Sequence, residues 1–188
     1  MACKDRERWN ARYSDDFVPS FEPHPLAVRA VELGLGDGPV ADLACGASGS
    51  ALYIAASGHS VVAVDVSEVA LGMLAAQARR LGLQPLITVV QADLSAWRRE
   101  SGPGFALVLC TGFWDAGVFS AAATAVAAGG LIAWEAFTEQ ARQTRTELPL
   151  EWCLRDGEPA SLLPADFTVI EQHDVAGSRR RLLARRAQ

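Results

Sequence analysis

Three carboxylates fall where an alternating strand-and-helix chain can use them. Asp42 opens the stretch Asp42-Leu43-Ala44-Cys45-Gly46-Ala47-Ser48-Gly49-Ser50, in which every residue after Leu43 is small. Small residues let a ligand approach the backbone closely, and the helix that follows turns its free N–H groups toward that ligand. Asp65 comes 19 residues after Gly46 and closes an apolar run. A carboxylate at the end of a second strand can accept hydrogen bonds from the vicinal hydroxyls of a ribose. Asp93, beyond the next apolar run, is placed to accept from an exocyclic adenine amine. Together the three describe a site for an adenosine-containing ligand.

Two ligand classes fit, a nicotinamide dinucleotide and S-adenosylmethionine. The dinucleotide fingerprint G-x-G-x-x-G is missing, and the chain's one lysine, Lys4, sits near the N-terminus. A phosphate-loop lysine, a Schiff-base lysine or a Tyr-x-x-x-Lys dehydrogenase pair therefore has almost nowhere to come from. The four cysteines (Cys3, Cys45, Cys110, Cys153) and three histidines (His24, His59, His173) are scattered without a CxxC. That excludes a zinc cluster or disulfide framework as the organising feature and suits a reduced, cytoplasmic protein without a metal. Net charge of −5 argues against a nucleic-acid partner. No apolar run reaches the ~18–20 residues needed to cross a bilayer, so no membrane partner is expected.

The elements that must hold these residues follow from periodicity. Asp5–Tyr13 suits a short amphipathic helix, Phe17–Pro25 a loop, and Leu26–Leu35 a helix ended by the Gly-Pro-rich run 34–39. Val40–Ala44, Ser60–Val64, Leu86–Val90, Phe105–Cys110 and Leu131–Ala136 read as strands. Helices Ala51–Ala56, Ser67–Leu81 (with Ser67 as its cap) and Phe119–Ala128 lie between them, and Gly129-Gly130 reads as a turn. Strands separated by helices of this length imply a parallel sheet. Phe167–His173 and Arg180–Ala184 have no helix between them and should form an antiparallel hairpin, with the Arg179-Arg180-Arg181 run on the solvated face of an edge strand. One domain is expected over residues 1–188, with 1–25 a lid or substrate segment, as a monomer or homodimer.

Val40–Leu71, "VADLACGASGSALYIAASGHSVVAVDVSEVAL", closely resembles the first two motifs of class I S-adenosylmethionine-dependent methyltransferases. "QADL" at Gln91–Leu94, "FALVLCTGFWD" at Phe105–Asp115 and "AAGGLIAWEAF" at Ala127–Phe137 resemble the later motifs in order. "RWNARY" at Arg8–Tyr13 and "PHPLAVRAVEL" at Pro23–Leu33 are similar to the compact branch related to tellurite-resistance and thiopurine-type enzymes. The resemblance implies an α/β, Rossmann-like, doubly wound seven-stranded sheet, mostly parallel, with an antiparallel C-terminal hairpin. It implies a cytoplasmic enzyme that uses S-adenosylmethionine, releases S-adenosylhomocysteine and methylates a small molecule.

Carried over, the resemblance places Asp42 beside the methionine part of the cofactor and Ala44, Gly46 and Ser48 at the three glycine places of D-x-G-x-G-x-G, with Gly49 next. Asp65 would hold the ribose and Val66 would flank the adenine. Asp93 and the Leu94 amide would read its edge, and Cys110 and Thr111 would lie by the methionine. Trp9, Arg12 and Tyr13 would form a lid, with Arg12 facing the cofactor carboxylate. Ala44 is a mild departure from glycine. Ser48 is a larger one: unless Gly49, one place on, relieves the turn, it is expected to lower cofactor affinity by ~1–3 kcal/mol through strain or a mis-set contact. Phe113, Trp114 and Phe137 are candidate substrate contacts; His24, Asp115 and Glu135 are candidate catalytic groups. The alternatives are a binding protein of this fold without turnover and a nicotinamide-dependent oxidoreductase.

Overall fold

Seven strands form one sheet in the order β3-β2-β1-β4-β5-β7-β6 in the computed structural model, which describes residues 2–14, 16–97 and 102–188, without the side chains of Ala2 and Cys3. Helices α1 (Ala2–Arg12) and α2 (Pro25–Glu32) precede β1 (Val40–Leu43). Then come α3 (Gly49–Ala56), β2 (Val61–Asp65), α4 (Glu68–Arg80), β3 (Ile87–Gln91), β4 (Phe105–Thr111), α5 (Ala116–Ala125), β5 (Val126–Phe137), β6 (Phe167–Val175) and β7 (Arg179–Arg186). Adjacent pairs among β1 to β5 are parallel, and β7 runs antiparallel to both β5 and β6. The doubly wound mixed sheet read from the sequence is the one observed.

Central strands β1 and β4 are apolar nearly throughout because helices cover both sheet faces. One core layer joins Leu107, Leu109, Leu131 and Leu183 to Ala27 and Ala30 of α2, Ile54 of α3 and Leu74 of α4. The other packs Val108, Ile132, Trp134 and Leu182 against Phe119 of α5 and Leu154 of the 138–166 connection. Ser67 caps α4, its Oγ accepting the Ala70 N–H at 3.2 Å.

Three local expectations are corrected. The helix expected at Phe119–Ala128 is α5, which starts and stops three residues earlier: Asp115 Oδ1 accepts the Val118 N–H at 2.8 Å and caps it. Gly129-Gly130 lies within β5, not in a turn between helix and strand. A Cβ at Gly130 would stand 2.8 Å from the Phe105 carbonyl oxygen, so glycine lets β5 press onto β4 where their register shifts. Finally, the arginine run is on an interior strand: β7 sits between β5 and β6, and β6 is the edge.

Candidate functional site

The C-terminal ends of β1 and β2 meet through Asp65. Its Oδ2 accepts the Gly46 N–H at 2.8 Å and its Oδ1 the Ser67 N–H at 2.8 Å. Burial pushes this carboxyl upward, opposed by the backbone N–H donors from Ser67, Gly46 and Val66. Asp42, fully buried one strand over, is pushed up to about 7, by burial first and by the charge of Asp65, against a hydrogen bond from Ser48. Two carboxylates are thus held close together around a loop of small residues.

Ser48 behaves differently from the sequence expectation. Its φ is −75°, so its Cβ carries no left-handed strain. Its hydroxyl donates to Asp42 Oδ2 at 2.6 Å and accepts the Ala51 N–H at 3.0 Å, capping α3. The strained replacement is Ala44, at φ +48°, where a glycine would sit without cost. Gly46 is at φ +57°, and a Cβ there would run into the hydroxyl and ring of Tyr13. At Gly49 a Cβ would collide with the backbone carbonyls of Phe21 and Glu22, which lie across the start of α3.

The N-terminal segment covers this corner. Asn10 Oδ1 accepts the Ser67 hydroxyl at 2.7 Å, tying α1 to the cap of α4. Trp9, Tyr13 and Phe17 form an aromatic row, with Tyr13–Phe17 centroids 4.8 Å apart. Burial first, then the charge of Asp65, raises the Tyr13 phenol. Arg8 reaches the other way, its guanidinium 4.6 Å from the ring of Trp152 in the 138–166 connection. Arg12 is exposed and stacks loosely on Trp9 at 5.9 Å. Val66 and Thr111 are half-buried at the same end of the sheet. Asp93 uses Oδ1 on the Ser95 N–H and hydroxyl, at 2.9 and 2.8 Å, and its neighbour Leu94 is buried. Cys110 is buried, and burial holds its thiol well above the ordinary range.

A second cluster gathers on Glu135, near the end of β5 and 3% exposed. His24 Nε2 lies 3.1 Å from Oε2, Arg181 Nε 2.6 Å from Oε2 and Arg179 Nη1 2.9 Å from Oε1. Burial alone would raise this carboxyl, but the hydrogen bonds from His24, Arg181 and Arg179 bring it down to about 2. His24 caps α2, Nδ1 accepting the Leu26 N–H at 3.2 Å, so both ring nitrogens are engaged. The guanidinium carbons of Arg179 and Arg145 lie 4.2 and 4.8 Å from the Phe137 centroid.

Among the expected substrate contacts, Phe113 is half-buried and its carbonyl accepts the Trp134 indole N–H at 2.9 Å. Trp114 is a correction: it is 5% exposed and packs on Phe119 and Trp134, because the chain turns it back onto α5. Asp115 is spent on the α5 cap. Sequence reasoning missed Arg145, Arg179, Arg181 and Trp152. The i, i+2 spacing of Arg179 and Arg181 was the available signal, since it puts both on one sheet face. Among the described residues no group of His, Cys, Asp and Glu is arranged to hold a metal ion.

A family model described as a methyltransferase domain matches residues 40–130. A 2-heptyl-1-hydroxyquinolin-4(1H)-one methyltransferase from Mycobacteroides abscessus is 34% identical over 81 residues, which are 43% of this chain and 35% of that enzyme. The chain thus spans about a third of that relative's length. In fold it is similar to magnesium protoporphyrin IX methyltransferase from Synechocystis with bound S-adenosylhomocysteine (TM-score 0.72, 15% identity, 99% of each chain covered). It is likewise similar to TehB from Haemophilus influenzae (TM-score 0.71, 16% identity, 96% of this chain and 66% of that one). With Asp65 clasping the small-residue loop in a sheet of this order, residues 40–130 match a methyltransferase domain and the chain as a whole has the Rossmann-like methyltransferase fold.

Proposed function

We propose that this chain transfers the methyl group of S-adenosylmethionine to a small-molecule acceptor by in-line displacement. The observation that carries the reading is the Asp65 carboxylate, held by the Gly46 and Ser67 amides at the ends of β1 and β2 and roofed by Tyr13. The residues present fit the cofactor. The Asp65 oxygens take the Gly46 and Ser67 amides, with Val66 as a further backbone donor, and of their roughly four lone-pair sites keep capacity for a ribose hydroxyl. Gly46 has no Cβ, so Tyr13 packs directly over the loop and would wall the nucleoside on that side. In this reading Asp42, Ala44, Gly46, Ser48 and Gly49 frame the methionine part, together with Cys110 and Thr111. Val66, Asp93 and the Leu94 amide take the adenine, and Trp9, Arg12 and Tyr13 close over it.

When bound, the cofactor supplies a methyl group already activated by its sulfonium. The protein's task is then alignment and exclusion of water, which supplies several kcal/mol. None of the three candidate proton carriers is free: His24 and Asp115 cap helices, and Glu135 is held by three donors at about 2. The reading therefore favours an acceptor atom that reaches the site deprotonated or sheds its proton without a protein base. Calorimetry with S-adenosylmethionine and S-adenosylhomocysteine tests it, followed by homocysteine-release assays over acceptor pools. No binding of either nucleoside at millimolar concentration rejects the proposal.

A further inference from the structure

The ion pairs around Phe137 do not balance among the described residues. Arg179 and Arg181 both pair with the single carboxylate of Glu135. That pairing accounts for where they stand, but it leaves one of their two charges without an opposite. Arg145 adds a third. It is exposed, makes no ion pair among the described residues, and shares the Phe137 ring with Arg179. Like charges gathered on one ring are unfavourable unless an anion joins them, and the planar guanidinium fork is suited to an oxyanion.

The position of the pair gives that anion a purpose. A Cβ at Gly112 would lie 4.0 Å from Arg179 Nη1, and the Gly112 N–H donates to the Glu135 carbonyl at 2.7 Å. Gly112 follows Thr111, so Arg179 stands one residue beyond the stretch assigned above to the methionine part of the cofactor. An acceptor anchored there would present its other end to the methyl group.

We propose that the methyl acceptor is an oxyanion-bearing organic acid, a carboxylate or a phosphate ester, whose charged group docks at the edge of the Phe137 ring within reach of Arg145 and Arg179. This rests on the methyltransferase reading above and names its substrate class. A ring or other apolar body on the acid extends from Phe137 toward Gly112, while the charge stays at the rim where water can follow it in. Glu135 acts as a positioning residue that holds Arg179 in place.

The test is ligand-observed NMR titration of the full chain, saturated with S-adenosylhomocysteine, with benzoate, phenyl phosphate and the neutral benzamide. At least one anion should bind about tenfold more tightly than benzamide, and the tighter of the two identifies the headgroup. In R145Q the preference should shrink to within about twofold, and R145K should restore part of it. Arg145 is exposed, so these variants are expected to fold, and an unchanged melting temperature checks this. Equal binding of benzamide, no binding of either anion, or full preference retained in R145Q overturns the proposal. Failure of the wild-type chain to bind S-adenosylhomocysteine counts instead against the methyltransferase reading. The anion preference is then read on the chain without nucleoside.

Discussion

Asp65 Oδ2 and the Gly46 amide nitrogen are 2.8 Å apart, so the end of β2 holds the loop after β1 by one charge-assisted hydrogen bond. The same carboxylate is the proposed ribose partner. Asp65→Ala should therefore weaken S-adenosylhomocysteine by about 1–3 kcal/mol, measured by calorimetry. Asp65→Asn, which keeps one acceptor oxygen, should fall between. Affinity unchanged in the alanine variant would remove Asp65 from the nucleoside site.

The two departures from the glycine pattern should respond with opposite signs. Ala44→Gly relieves a left-handed residue worth ~1 kcal/mol, partly offset by unfolded-state entropy, so the melting temperature should rise slightly. Ser48→Gly removes the hydroxyl that caps α3 and serves Asp42, so it should lower stability by about 1 kcal/mol without tightening the cofactor. A gain in nucleoside affinity in Ser48→Gly would show that the serine obstructs the loop.

Tyr13 covers Gly46 and faces Asp65. If it is a wall of the nucleoside site, Tyr13→Ala should reduce S-adenosylhomocysteine affinity about tenfold, with Tyr13→Phe retaining most of it. Tighter binding in the alanine variant would mean that the ring occupies the ligand's own place.

Asp42 and Glu135 bend the pH–stability curve in opposite directions. Asp42 sits at about 7 when folded, against an ordinary 3.8, so its contribution is complete below 3.8 and is lost as pH rises toward about 7. Glu135 is held at about 2 against 4.5, so its contribution is complete above 4.5 and is lost as pH falls toward about 2. Thermal melts should peak at about pH 4–5 for these two groups taken together. Asp42→Asn should flatten the neutral limb and Glu135→Gln the acid limb. A neutral limb that persists in Asp42→Asn would show that Asp42 does not cause it.

What the sequence disclosed is what short-range chemistry decides. Ser67 before an apolar helix, the glycine-rich stop after α2 and the two β-rich runs without a helix between them each carry their own instruction, and each is found in place. The carboxylates at strand ends were legible because an open parallel sheet gathers those ends on one rim. Trp114 was not, since only the packing of α5 on β5 decides whether an aromatic after a strand turns in or out. Bulk alone makes Ser48 the larger departure from glycine, whereas backbone torsion makes Ala44, the smaller residue, the strained one. Arg179 and Arg181 read as solvated because their partner is 44 or more residues away, and β7's neighbours are set by sheet order rather than by its own residues.

The late insertion of β7 has a consequence for how the chain is made. β7 follows β6 in sequence but lies between β6 and β5 in space, so β5 keeps a bare rim until residues 179–186 leave the ribosome. The buried acid at Glu135 waits for its arginines over the same interval. The sheet therefore closes in one late act of zippering, and until then its sticky border makes the nascent chain a natural client for chaperones.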